Sequence, residues 1–172
     1  MLELSDRKWA DFKLTDIFNI SGTKCIYEKD MEQYGTGIYP HVCNSTENNG
    51  VSGFYNHYTE EGNVICTGDI VGWATYQPVN FSCGSHIQKL TPKFTMNRQI
   101  ALFIVTAIRL ETAGGKYGYG RLLNRARLKE IVIHLPVDDN GQPDYDFMEQ
   151  YIAERESQII VGLQDVLNQM LK

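Results

Sequence analysis

Ile131-Val132-Ile133-His134-Leu135-Pro136-Val137-Asp138-Asp139-Asn140-Gly141-Gln142-Pro143-Asp144-Tyr145 sets the architecture of the chain. Ile131–Leu135 is a β-rich apolar run, expected to form a strand that Pro136 ends. Val137–Pro143 is a polar turn, and Asp144 suits the N-cap of a helix. From Asp144 to Lys172 the pattern is that of one long helix. Tyr145, Ile152, Ile159 and Val166 recur every seven residues, Leu163 and Met170 form a second line, and Ile160 and Leu167 lie alongside. Arg155 and Gly162 break strict heptads, so an ideal long coiled coil is not expected. The stripe needs a partner surface, either the chain's own domain or a helix of another chain.

Upstream, short strands dominate. A strand is expected near 11–14, a helical turn at Thr15–Phe18 and a further strand, with Ser21-Gly22-Thr23 as a turn. Strands at 38–43 and 51–55 flank Asn48-Asn49-Gly50, whose residues tolerate positive φ. Val64–Thr67, Ile70–Ala74, Val79–Cys83 and His86–Leu90 continue the series, Gly68-Asp69 turns the chain, and Pro92 interrupts it. Trp73, a large ring in an apolar strand, is expected in the core. Asn97–Glu111 is a helix with apolar residues at 100, 101, 103, 104, 107, 108 and 110, ended by Ala113-Gly114-Gly115. Asn124–Glu130 is a helical turn. The expectation is an α/β (α+β) domain with a curved, mostly antiparallel sheet over residues 1–143, and a terminal helix over 144–172.

The 172 residues suit one domain with a real core. No apolar stretch approaches the ~18 residues of a membrane span, and the N-terminus lacks a basic start before an apolar run. A cytoplasmic protein is expected. Cys25, Cys43, Cys66 and Cys83 include no C-x-x-C pair, and the histidines show no metal-ligand spacing, so free, mostly buried thiols and no metal are expected. The net charge of −5 argues mildly against a nucleic-acid partner, but its distribution is uneven. Ser85–Lys129 holds nine Lys/Arg and only one acid, Glu111; the other residues hold seven basic and twenty acidic side chains. That is a focused field.

Motifs for catalysis are missing. Ala113-Gly114-Gly115-Lys116-Tyr117 lacks the first glycine and the Ser/Thr of a phosphate loop, and Gly118-Tyr119-Gly120-Arg121 lacks the third glycine of a dinucleotide fingerprint. No S-adenosylmethionine-binding motif and no activated nucleophile is visible, so no cofactor and no enzyme activity is expected. Lys116, Tyr117, Tyr119 and Arg121 instead interleave cations and aromatics on a glycine-flexed loop, followed by Arg125, Arg127 and Lys129. Such a loop is either a solvated basic face or a surface that neutralises phosphates and reaches base edges.

Three segments now carry a resemblance. Gly72-Trp73-Ala74-Thr75-Tyr76-Gln77-Pro78-Val79-Asn80-Phe81, Asn97-Arg98-Gln99-Ile100-Ala101-Leu102-Phe103 and Tyr117-Gly118-Tyr119-Gly120-Arg121 resemble segments of restriction–modification specificity proteins. Ile133–Asp138 with Gly141–Tyr145 and Phe147–Ile152 is similar to the strand–turn–helix boundary that closes a target-recognition domain, especially in type I and related bifunctional systems. The start, Trp9, Phe12-Lys13-Leu14 and Ile17-Phe18, also fits. Leu122 stands where the family often has Lys, and Tyr145 where it often has Trp.

The resemblance implies a non-catalytic specificity subunit that reads one half-site of double-stranded DNA. Its partners would be a DNA adenine methyltransferase subunit and, where present, a restriction or motor subunit. DNA contacts are expected from Lys24, Thr75, Tyr76, Gln77, His86, Lys116, Tyr117, Tyr119, Arg121 and Arg125, with Lys116 and Arg121 on phosphates and Tyr76 and Gln77 at bases. A half-size subunit would pair as a homodimer through Tyr145, Met148, Ile152, Ile159, Leu163, Val166 and Met170. The alternative is a module that binds no DNA and occupies a methyltransferase as an inhibitor or assembly factor.

Overall fold

The fold, taken from a computed structural model, is described for residues 1–112 and 114–171. In chain order the elements are β1 (Lys8–Lys13), α1 (Leu14–Ile17), β2 (Phe18–Gly22), α2 (Glu28–Met31), β3 (Thr36–Val42), β4 (Val51–Tyr55), β5 (Val64–Gly68), β6 (Ala74–Gln77), β7 (Ser82–Cys83), β8 (Ile87–Pro92), α3 (Arg98–Thr112), α4 (Arg125–Leu128), β9 (Val132–Val137) and α5 (Tyr145–Met170). The mixed class with a long C-terminal helix is as expected, but the strands form three sheets rather than one. They are a β1–β9 ribbon, a four-stranded sheet in the order β2-β8-β5-β6, and a three-stranded sheet β4-β3-β7. Every pairing is antiparallel except β3 with β7.

Helix α3 forms because Asn97 Oδ1 accepts from the Ile100 N–H (3.0 Å) and the apolar positions that follow share one face. That face, with Ile100, Ala101, Ile104 and Ile108, is buried in a core that includes Leu14, Phe18, Ile65, Leu90, Leu123, Leu128, Ile133, Leu135 and Met148. α3 packs against α5, β6 and β9. Beyond it, Gly114 (φ 77°) and Gly115 (φ 70°) take the left-handed backbone that turns the chain out of a helix; Ala113, also read as part of the stop, lies outside the described residues. Lys116 Nζ donates to the Glu111 carbonyl (2.9 Å), where cations favour a helix C-terminus.

Some expectations need correction. Ile70–Ala74 is not a strand. Gly68 N–H donates to Trp73 O (3.2 Å) and Gly72 N–H to Gly68 O (2.9 Å), with Gly72 at φ 62°, so the chain reverses there and the strand starts at Ala74. Trp73 is therefore half-exposed rather than core, with the Arg109 guanidinium 4.1 Å above its ring. Pro136 does not end β9; it pairs with Trp9. Its carbonyl accepts from Asp144 N–H (2.9 Å) on the side away from β1, so its missing N–H falls on a free edge. Pro92 likewise closes β8 from within, opposite Phe18. All four thiols are free; Cys66 and Cys83 are buried and Cys43 half-buried, but Cys25 is exposed. Burial pushes the Cys66 thiol well above its ordinary value and that of Cys83 up to about 11.

α5 starts where expected. Asp144 accepts from Phe147 N–H (2.9 Å) and from Arg7 Nε (2.7 Å). Its first turns belong to the domain's own core. Phe147 and Met148 are buried, Tyr145 stacks on Phe94 at 4.1 Å between centroids, and Ile152 packs on the main cluster. Ile159, Ile160, Val161, Leu163, Val166, Leu167, Met170 and Leu171 are exposed. The stripe therefore divides: Tyr145, Met148 and Ile152 are engaged within the domain, and only the residues from Ile159 onward are open to another surface.

This division is measurable. Ile104→Ala, at a fully buried position, is expected to lower unfolding stability by about 2–5 kcal/mol in urea titration. Leu163→Ala, on the exposed part of α5, should change it by less than about 0.5 kcal/mol at dilute concentration. Equal losses would contradict the division.

Candidate nucleic-acid interface

The four-stranded sheet has one end at which four connections meet. β2 leaves it at Gly22, β8 enters at Ile87, and β5 turns into β6 through residues 69–73. β3 and β7 run in parallel towards the same end, so residues 43–50 and 84–86 arrive there too. Leu123 N–H donates to the Asp69 carbonyl (2.7 Å), and the Tyr117 ring packs on Gly72, where an added Cβ would stand 2.9 Å from it. These contacts bring the basic segment 116–129 to the 69–73 turn.

A polar chain fixes this junction. Asp69, 7% exposed, accepts from Gln88 Nε2 (3.1 Å), and Gln88 Oε1 accepts from Arg125 Nε (3.2 Å). The Arg125 guanidinium lies against Gly22, where a Cβ would collide with it. His86, exposed and at φ 64°, has Nδ1 3.7 Å from Asp69 Oδ2. Lys24 follows Gly22 by two residues and is exposed; its N–H donates to Glu60 Oε1 (2.6 Å).

The nine cations of residues 85–129 fall into two sets. Lys89 is paired with the buried Glu60, Arg98 with Glu156, Lys93 Nζ donates to Thr15 O (2.6 Å), and Arg109 Nε donates to Ala74 O (2.7 Å) while stacking on Trp73. Burial pulls the Arg109 pKa below its ordinary value. Lys89, Arg98 and Arg109 are tied into the fold, and Lys93, exposed and without an acidic partner among the described residues, follows Pro92 at the opposite end of the sheet. Lys116, Arg121, Arg125, Arg127 and Lys129 have no acidic partner within the described residues, and all five are exposed. Arg127 Nη1 donates to Leu122 O (2.7 Å), Arg121 lies 5.8 Å from the centroid of the Tyr117 ring, and Tyr119 is 86% exposed.

Of the residues singled out from the sequence, Lys24, His86, Lys116, Tyr117, Tyr119, Arg121 and Arg125 gather around this end. Thr75, Tyr76 and Gln77 are placed otherwise. Thr75 and Gln77 are buried; Gln77 Nε2 donates to Thr75 Oγ1 and to Asn49 O (3.1 Å each). The Tyr76 hydroxyl donates to Asn63 Oδ1 (2.9 Å), beside the far end of β5. Their polar atoms are engaged within the domain. Sequence reading missed Asp69 and Gln88, which position Arg125, and passed over Asn44. Asn44 Oδ1 accepts from Val71 N–H and its Nδ2 donates to His86 O (3.3 Å each). No local signal marks these three, because their partners lie 19 to 42 residues away.

The fold is a sheet that carries loops, and cations without an acidic partner among the described residues, at one end. The chain belongs to the family described as the Type I restriction modification DNA specificity domain, whose model matches residues 6–165. It is 31% identical over 163 residues to the Type II restriction enzyme BgcI specificity subunit S.BcgI of Heyndrickxia coagulans, a match covering 91% of this chain and 46% of that protein. Its fold resembles the S subunit of a type I restriction–modification system from M. genitalium (TM-score 0.62, 17% identity, 95% of this chain and 44% of that one). It also resembles the HsdS subunit of Thermoanaerobacter tengcongensis (TM-score 0.56, 13% identity, 89% and 38%). The chain thus spans less than half the length of these relatives. Among the described residues no helix is long and apolar enough to cross a membrane, and no three His, Cys, Asp or Glu side chains gather as a metal site.

The two sets of cations predict opposite stability effects. Lys89→Met leaves Glu60, 7% exposed, without its ion-pair partner and is expected to cost about 3–5 kcal/mol in a denaturation titration. Arg121→Ala should stay within about 0.5 kcal/mol of the parent.

Proposed function

We propose that this domain reads one half-site of double-stranded DNA as the non-catalytic recognition part of a restriction–modification system, working in the cytoplasm. The observation that carries the reading is the exposed cation set of residues 116–129 without acidic partners among the described residues, led by Lys116, Arg121 and Arg125 at the loop-bearing end of the sheet, in a chain of the DNA specificity family. Cations without an acidic partner neutralise phosphates and release counterions, which supplies affinity without sequence preference. Lys116, Arg121 and Arg125 lead this set. Tyr117 and Tyr119 offer flat faces with a hydroxyl beside them, and His86 and Lys24 extend the surface.

The reading assigns catalysis to other chains. Bound DNA is presented to a DNA adenine methyltransferase subunit and, where one is present, to a restriction or motor subunit. A curated relative is a specificity subunit of a restriction enzyme, and a further structural neighbour (TM-score 0.62, 11% identity) comes from work on complex assembly and conformational transition in the type I system. The exposed part of α5 supplies the pairing surface. Ile159, Leu163, Val166 and Met170, with Ile160 and Leu167 beside them, meet the same residues of a second copy, so that two domains read a bipartite, palindromic target.

Two measurements test this. Fluorescence titration of duplex DNA at several salt concentrations should show steep loss of affinity with salt. Lys116→Ala, Arg121→Ala and Arg125→Ala together should weaken binding to all sequences and reduce the log–log salt slope by roughly 0.9 per cation removed. An unchanged slope sinks the assignment, and a parent chain without DNA affinity favours a protein-binding module. In sedimentation, Ile159→Glu with Leu163→Glu should convert a dimer to a monomer; a parent chain that sediments as a monomer refutes self-pairing.

A further inference from the structure

The loop joining β3 to β4 is clamped at its base and free at its tip. At one flank Asn44 bonds to Val71 N and His86 O. At the other, Asn49 Nδ2 donates to Tyr76 O (2.9 Å) and Asn49 O accepts from Gln77 Nε2 (3.1 Å). Cys43 N–H closes the base onto Gly50 O (2.7 Å). Asn48 and Asn49 both sit in the left-handed region, at φ 49° and 56°. Asn accepts that conformation better than most side chains, but two in succession persist only where surrounding bonds hold them. Thr46, Glu47 and Asn48 are exposed, and the side chains of Glu47 and Asn48 have no hydrogen-bond partner among the described residues.

One flank of this loop borders the 69–73 turn, through Asn44 on Val71 N–H, and the basic segment borders the same turn through Tyr117 on Gly72 and Leu123 N–H on Asp69 O. Phosphate contacts position a protein on DNA but carry no sequence information, so base readout needs polar side chains beside the cations. Thr75 and Gln77 are buried and bonded inward, whereas the Glu47 and Asn48 side chains of the loop tip are exposed and have no hydrogen-bond partner among the described residues. A free Asn amide carries the donor and acceptor that match N7 and N6 of adenine, and a carboxylate accepts from N4 of cytosine. Resting on the DNA-reading function above, we propose that the Thr46–Asn48 tip is the base-reading edge of this domain, with Asn48 as an adenine-specifying residue and Glu47 disfavouring bases without a donor at that edge.

The test is selection from randomised duplexes with the full chain, followed by titration against the enriched sequence and its single-base variants. Asn48→Gly keeps the left-handed backbone and removes only the amide. It is expected to lower discrimination at one base pair by roughly 5- to 150-fold, with non-specific affinity and salt slope unchanged. Asn48→Asp should redirect the preference at that position from adenine towards cytosine. If both variants enrich the parent motif with undiminished discrimination, while the cation substitutions still weaken binding to every sequence, the loop is not the reader and the DNA-reading function stands. If the parent chain enriches no motif and shows no salt-dependent binding, both readings fall together.

Discussion

The apolar face of α3 is buried against β6, β9 and α5, while Arg109 on the same helix reaches over to the Ala74 carbonyl and the Trp73 ring. β9 in turn holds β1, so a strand near the start of the chain and the strand that precedes α5 meet as one ribbon. The burial also sets where the chain leaves α3. The glycines at 114 and 115 release it beside the 69–73 turn, and the basic loop starts there. Buried aliphatic side chains such as Ile104 and Ile108 contribute roughly 1.5–3 kcal/mol each. That is far more than any one contact of the exposed loop supplies, so the frame stays fixed while the loop side chains are free to vary.

Two buried carboxylates sort the cations. Glu60 takes Lys89 and the Lys24 amide, so Lys89 is withdrawn from the surface. Asp69 acts at one remove, through the Gln88 amide, and orients Arg125 without forming an ion pair with it. An amide between carboxylate and guanidinium leaves the positive charge uncompensated at the surface, where a direct pair would cancel it. The positive field in a chain of net charge −5 thus comes from unmatched cations in one segment, gathered where loops converge.

Much of the frame was legible in the sequence because it is local. The helical period read over Asn97–Glu111, the Asp144 cap and the turn at Asn48-Asn49-Gly50 each follow from neighbouring residues. Ile70–Trp73 misled because its apolar composition fits a strand, while the turn depends on hydrogen bonds from Gly68 and Gly72 and on the left-handed Gly72. The basic loop was legible from charge density alone. Thr75 and Gln77 were not legible as interior residues, since their inward bonds run to each other and to Asn49, 28 residues away. Composition placed the cations in one stretch; only the fold separates those that are paired from those that are free.

The same distinction governs α5. A seven-residue repeat runs its whole length, but a repeat says only that one face is apolar, not what covers it. Tyr145, Met148 and Ile152 sit where α3 and Phe94 supply that cover. Beyond Gln158, whose Nε2 meets Met1 Sδ, the remaining apolar side chains stand in water. At 1.5 Å rise per residue, Ile159 to Met170 spans roughly 17 Å, about three turns. An apolar stripe of that length is the kind of surface that soluble proteins cover with a partner. One uninterrupted helix therefore closes the core with its first turns and leaves an apolar stripe exposed on its last. Because it is continuous, the exposed stripe is held at a fixed distance and orientation from the core that its first turns close.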